Sequence, residues 1–216
     1  MTGQHELDRA VANNANKSDD SNNSNDSNDS NDSIWAWRHP LPTAIEGYCI
    51  GRTDVAVDPR RARHLARRIE RVARQHGLPR EVWTSPLRRC ADVGRWLRRC
   101  GWMHHIDPAL LEMDFGAWDG ALWSSIPFAQ VDAWKDDLAH YAAGGGESLS
   151  DVLTRAARWQ PASPAVVVAH SGWMRARRWL DTNAGAPLRA AEFPASPGYG
   201  VLWKLGASLA IHQTRD

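Results

Sequence analysis

The sequence predicts an α/β fold, a three-layer sandwich around a central, mostly parallel sheet, and three observations carry that prediction. "PAVVVAH" (residues 164–170) is a continuous apolar run, the pattern of a strand buried on both faces. "SGWMRARRWL" follows it without a gap and repeats its apolar residues at helical spacing. Short apolar segments and amphipathic segments then alternate along the chain, the order expected of strands joined by helical crossovers.

The elements follow in order. "IWAW" reads as a first buried strand that ends at Arg38-His39. A Pro/Gly-rich loop, "PLPTAIEGYCIGRTDVAVDP", leads to "PRRARHLARRIERVARQHG". There Ala62, Leu65, Ile69, Val72 and Ala73 share a face, Pro59 starts the helix and Gly77 stops it. Its arginines are expected to face water, since no aromatic residues are interleaved with them as a nucleic-acid surface would need. "EVWTS" reads as a second strand, and a helix from about Leu87 to Cys100 turns Cys90, Val93, Gly94 and Leu97 inward. "MHHID" is a short strand; its adjacent His104 and His105 would point to opposite faces, which argues against a metal pair. After "LLEMDFGAWDG" and a Trp-rich stretch, "GGGESLSDVLTRAARW" is a loop feeding a helix, capped through Ser148 or Glu147, with Gly144 to Gly146 able to hinge a lid. Two further strands are expected near "YGVLWKL" and "SLAIHQ".

The 216 residues suit one domain preceded by a tail. From Asn13 the chain runs "NNANKSDDSNNSNDSNDSNDS", without an aromatic or branched aliphatic residue, so residues 1–33 are expected to be disordered and residues 34–216 to form the domain. The tail holds seven acids against two bases, net −5; the remainder holds 18 against 24, net +6. That mild excess suits a small anionic substrate and is too weak to imply nucleic acid. No apolar run is long enough to span a bilayer, so no membrane partner is expected. Three cysteines without a CxxC pair fit a reducing, cytoplasmic setting. Nothing in the chain specifies an oligomeric state.

The chemistry gathers at strand ends. In "VVVAHSG" a strand ends in His170 while Ser171-Gly172 opens a helix, which sets an imidazole beside free backbone N–H groups at an anion-binding terminus. "WRHP" repeats the arrangement with Arg38-His39, and "VWTSPLRRC" adds Arg88 and Arg89 behind a third strand. Two histidines and up to three arginines would converge on one edge, and the planar fork of arginine matches phosphate oxygens. A carboxyl group that protonates a leaving alkoxide and then activates water would complete the set. "LLEMDFGAWDG" offers Glu112, Asp114 and Asp119. Trp118, Trp123 and Trp134 would ring the mouth of the pocket, serving packing before any stacking on an aromatic substrate.

Five ordered motifs, "RHP", "TSPLRR", "LLEMDFGAWDG", "GGGES" and "VVVAHSG", resemble those of the histidine phosphatase (phosphoglycerate mutase-like) superfamily from about Trp35 to Leu180. The resemblance implies His39 as the phosphorylated nucleophile and Glu112 as the general acid/base. It implies Arg38, Arg89, His170 and Ser171 as the phosphate pocket, with Arg52 of "GRTD" near substrate. It implies a small phosphorylated substrate and neither metal nor cofactor. "RHP", "YCIGRTD" and "EMDFGAWDG" together look most like the bacterial branch of α-ribazole-5′-phosphate phosphatases of cobalamin synthesis. The chain departs from the family where Pro40-Leu41-Pro42 replace the usual Gly and Glu-Thr, so the loop lacks one N–H. The short segment after "FG" favours a phosphatase over a mutase. A non-catalytic phosphate-binding relative is the other alternative, although all the pocket residues are present.

Overall fold

The computed structural model describes residues 33–183 and 192–207. Five strands, β1 (Ser33–Arg38), β2 (Glu81–Thr84), β3 (Met103–Ile106), β4 (Ala165–Ala169) and β5 (Leu202–Gly206), form one sheet in the order β3-β2-β4-β1-β5. β1, β4, β2 and β3 pair in parallel, and β5 runs antiparallel along β1. The mostly parallel sheet is therefore as the sequence predicts. The α-helices among the described residues are α1 (Pro59–His76), α2 (Arg88–Arg99), α3 (Phe128–Asp136), α4 (Leu149–Arg158) and α5 (Ser171–Thr182).

Strand pleating divides the buried residues into two cores, because successive side chains point to opposite faces. Trp35 and Trp37 of β1 and Val166 and Val168 of β4 pack with Leu65, Ile69, Val93 and Leu97 of α1 and α2. Ile34, Ala36, Ala165, Val167 and Ala169 face the other way, onto Val152 and Ala156 of α4 and Trp173 and Met174 of α5. This arrangement gives the three layers.

Local signals explain the helix ends. Pro59 stands at the start of α1, where its missing N–H costs nothing, and Gly77 closes the helix in the left-handed conformation at φ 64°. Ser148 caps α4 through a capping box with Asp151. Glu147, the other candidate cap, is instead engaged elsewhere. α3 lies in the Trp-rich stretch, where sequence periodicity marked no element; Val131 is its one buried residue.

Ser33 already belongs to β1, opposite Gly206, one residue inside the expected tail. Residues 1–32 and the "SLAIHQ" segment (208–213) lie outside the described residues. Among the described residues no helix is long and apolar enough to cross a membrane.

Candidate active site

β1 and β4 are parallel neighbours with Arg38 opposite Ala169, so the residues that follow, His39 and His170, must lie side by side. Their ring centroids are 5.1 Å apart, and the His39 backbone N–H donates to the Ala169 carbonyl at 3.0 Å. Both imidazoles are buried at the carboxyl ends of parallel strands, where open α/β sheets hold ligands.

The hydrogen bonds assign a tautomer to each ring. His39 Nδ1 lies 2.8 Å from the Pro40 carbonyl oxygen, which can only accept, so Nδ1 carries the hydrogen and Nε2 keeps its lone pair. Burial, followed by the charges of Arg89 and Arg38, holds His39 well below the usual imidazole range. The proline that departs from the family pattern thus supplies the carbonyl that fixes the ring. For His170, Arg89 Nε–H donates to Nδ1 at 3.1 Å, which leaves the hydrogen on Nε2, 3.4 Å from the buried Cys90 Sγ. Burial and then Arg89 also push this ring well below the usual range, so it is a neutral donor.

Arg89 stands in the first turn of α2, 1% exposed. Besides His170 it donates from Nη1 to the Thr53 carbonyl at 2.8 Å and from Nη2 to the Gly51 carbonyl. Asp119 shapes that receiving loop by accepting from the N–H groups of Gly51, Arg52 and Thr53 and from the Thr53 hydroxyl. Arg88, which the sequence left open as a third arginine at this edge, is exposed, because it occupies the outward side of the same turn. Arg38 donates from Nη1 to the Pro197 carbonyl at 2.6 Å, and its guanidinium lies 3.8 Å from the Tyr199 ring centroid. Its Nε–H is buried without a partner among the described residues.

Glu112 is 9% exposed and accepts from Gly172 N–H at 3.2 Å, two residues beyond His170, and from Met113 N–H at 3.1 Å. A Cβ at position 172 would stand 2.2 Å from Glu112 Oε1, so a larger residue there would have to displace the Glu112 carboxylate. Ser171, the first residue of α5, donates its hydroxyl to Ser196 Oγ at 2.9 Å. Arg155 buttresses the Glu112 segment, donating to the carbonyls of Ala109 (3.0 Å), Leu111 (2.8 Å) and Glu112 (3.4 Å) while paired with Glu147 at 2.9 Å.

Arg38, His39, Arg89, Glu112, His170 and Ser171 are therefore placed around the sheet edge at β1, β4 and the start of α5. Arg52 is differently engaged: Nη1 pairs with Asp114 at 3.1 Å and Nη2 with Glu147 at 3.2 Å. The Gly144 to Gly146 run packs too tightly to read as a hinge, since Cβ atoms at 144 and 146 would stand 2.2 Å from the carbonyls of Phe115 and Asp114. Trp118, Trp123 and Trp134 interlock with Phe115 and Tyr141. His104 meets the Thr84 hydroxyl while His105 stacks on Trp83, on opposite faces as expected. The described residues contain no group of three or more His, Cys, Asp or Glu suited to a metal ion. Sequence reasoning missed Asp119 as the organiser of the loop, Arg155, and Tyr199; only the ordered "GRTD" and "WDG" motifs hinted at the first.

The parallel sheet sets two neutral imidazoles between two guanidiniums, a cationic α/β strand-end site whose chemistry suits an anion. The chain belongs to the histidine phosphatase superfamily (branch 1), whose family model matches residues 34–192. Among solved structures, mycobacterial hydrolase 2 is similar at 25% identity with a TM-score of 0.62, over 81% of each chain. A mycobacterial glucosyl-3-phosphoglycerate phosphatase in complex with VO3 is similar at 26% identity with a TM-score of 0.62, over 80% of this chain and 90% of that one. A protein from Thermus thermophilus shares the fold, with a TM-score of 0.61 at 24% identity over 80% and 92%. The sequence matches none of the curated proteins with which it was compared.

Proposed function

We propose that the protein is a phosphomonoesterase that works through a phosphohistidine formed at His39. The observation that carries this reading is the His39 tautomer: a buried neutral ring whose Nδ1–H is held by the Pro40 carbonyl, with Nε2 unprotonated between two arginines. Nε2 attacks phosphorus, the N–P bond forms as the ester P–O bond breaks, and the departing oxygen takes its proton from Glu112. Arg38, Arg89, His170 and the N-terminus of α5 at Ser171 balance the charge on the equatorial oxygens. Water then attacks phosphorus, Glu112 accepts its proton, and the N–P bond breaks to release inorganic phosphate. Arg52, with both guanidinium ends on carboxylates, supports a role in tying the loop to Glu147 in place of contacting substrate.

The substrate is a small phosphomonoester. α-Ribazole 5′-phosphate is proposed on the strength of the "RHP", "YCIGRTD" and "EMDFGAWDG" motifs, and glucosyl-3-phosphoglycerate on the similarity to the mycobacterial phosphatase. A panel of these two, 3-phosphoglycerate and p-nitrophenyl phosphate, assayed with EDTA present, tests the reading. A radiolabelled phosphoryl group on the protein that is lost in acid and retained in base identifies phosphohistidine. His39→Ala abolishes turnover and labelling; residual activity within about tenfold of wild type, roughly 1.4 kcal/mol of barrier, overturns His39 as nucleophile. Transfer of the label to a second substrate hydroxyl instead of water would reassign the protein to the mutase class.

A further inference from the structure

The segment that precedes β5 returns to the end of β1. Gly200 N–H donates to the Arg38 carbonyl at 3.0 Å and contacts the His39 carbonyl at 3.3 Å, while Arg38 N–H donates to the Val201 carbonyl at 3.1 Å. These bonds fix Tyr199 over the pocket. Its ring centroid is 3.8 Å from the Arg38 guanidinium carbon and 5.5 Å from that of the His39 ring, inclined at 52°. At 37% exposure it forms the outer rim of the site.

Arg52, Arg89 and Arg38 are held in three ways, and the difference is chemical. Arg52 places both ends of its fork on carboxylates, which neutralises its charge. Arg89 gives its donors to carbonyls and to His170. Arg38 gives one Nη1–H to Pro197, and its guanidinium carbon otherwise lies over the Tyr199 ring, 3.8 Å from the centroid. A stacked ring fixes the plane of a guanidinium while consuming none of its in-plane donors and cancelling none of its charge. The buried, unpartnered Nε–H of Arg38 is thereby kept for an anion.

We propose that Tyr199 is a positioning residue of the phosphate pocket, whose ring holds the Arg38 guanidinium in the plane from which it meets the phosphoryl group. The inference rests on the phosphatase reading of the same site. It assigns the work to the face of the ring and none to the hydroxyl.

The test is a double-mutant cycle on the full chain. Wild type, Tyr199→Phe and Tyr199→Leu are each prepared with Arg38 intact and with Arg38→Ala. The Kd of orthovanadate is measured by calorimetry, and kcat and KM on p-nitrophenyl phosphate. With Arg38 present, Leu weakens vanadate binding and raises KM by about threefold to thirtyfold, while kcat falls less. Phe, which retains the ring, restores binding to within about threefold of wild type. In the Arg38→Ala background the Leu substitution has no further effect on Kd. Equal losses in Phe and Leu, no loss in Leu, or a Leu effect that survives removal of Arg38 each overturn the inference. If vanadate binding follows the expected order while no ester is turned over, the phosphatase reading falls and the role of Tyr199 stands. If esters are hydrolysed and Leu binds vanadate normally, the reverse holds.

Discussion

Three carboxylates share the stretch from Glu112 to Asp119, and their surroundings separate their work. Asp119 is saturated by the loop N–H groups of Gly51 to Thr53. Asp114 accepts from Gly116 N–H at 2.8 Å and pairs with Arg52. Glu112 alone of the three reaches the start of α5 beside His170. Glu112→Gln is therefore expected to slow hydrolysis of alkyl phosphates by about 10² to 10⁴-fold, because an alkoxide leaves poorly without a proton. p-Nitrophenyl phosphate, whose phenolate needs little help, loses far less in its first step. Asp114→Asn and Asp119→Asn lower activity without any dependence on leaving-group pKa. A steep dependence in either of them, with none in Glu112→Gln, would reassign the acid. Sequence alone left these three equivalent in chemistry, since residue type does not say which carboxylate the chain turns inward; the order of motifs in the family was what separated them.

At the scale of elements, α5 joins the site because its first residues meet Glu112 directly and, through His170, the end of β1. Gly172 leaves room for the acid in the first turn: a Cβ there would stand 2.2 Å from Glu112 Oε1 unless the carboxylate moved. Gly172→Ala is expected to displace the acid, costing about 1–3 kcal/mol of stability through overpacking and about 10²-fold in turnover of alkyl phosphates. Thermal unfolding and the alkyl-to-nitrophenyl rate ratio check the two effects separately. A variant with full alkyl phosphatase activity would show that Glu112 has another productive position. Removing the α4 cap by Ser148→Ala is expected to cost about 1 kcal/mol and leave the leaving-group dependence untouched, as read from denaturant midpoints and the same rate ratio. Helices with a strong apolar stripe, α1, α2 and α4, were legible in the sequence, and α1 and α4 also carry recognisable caps. α3 was not, because a nine-residue helix with one buried side chain has no period to read. The two glycines packed on Phe115 and Asp114 looked like a hinge for a related reason: composition records a lack of side chains and not what lies against the backbone.

Across the whole molecule the buried imidazoles set the response to acid. His39 and His170 are held well below the ordinary value by burial and the arginines, and His104, under α2, is lowered to about 4 by burial and then Arg98. Between these depressed values and the ordinary imidazole value near 6.5, the unfolded chain binds more protons than the native one. Stability therefore rises with pH through that window, and is lost as pH falls below about 6.5. The melting temperature is expected to drop between pH 7 and pH 5, with less of a drop in His104→Gln; a flat profile would mean that these rings keep their ordinary values in the native state. The parallel sheet and the two strand-end histidines could be read from single segments. The rim formed by Pro197 and Tyr199 could not, since it depends on β5 folding back antiparallel on β1 and nothing local marks that return.

The place of β1 between β4 and β5 in the sheet imposes a wait during synthesis. Its partners are β4, which begins 131 residues later at the Ile34–Ala165 register, and β5, which comes later still. At a synthesis rate of about 5–20 residues per second, "IWAW" emerges on the order of 10 s before the first strand it can pair with. Throughout that interval two tryptophans and an isoleucine destined for the interior remain unpaired on a nascent chain, a segment with the apolar, β-prone character that chaperones hold. The cluster of His39 and His170 at the end of this strand is thus among the last parts of the protein to come into being.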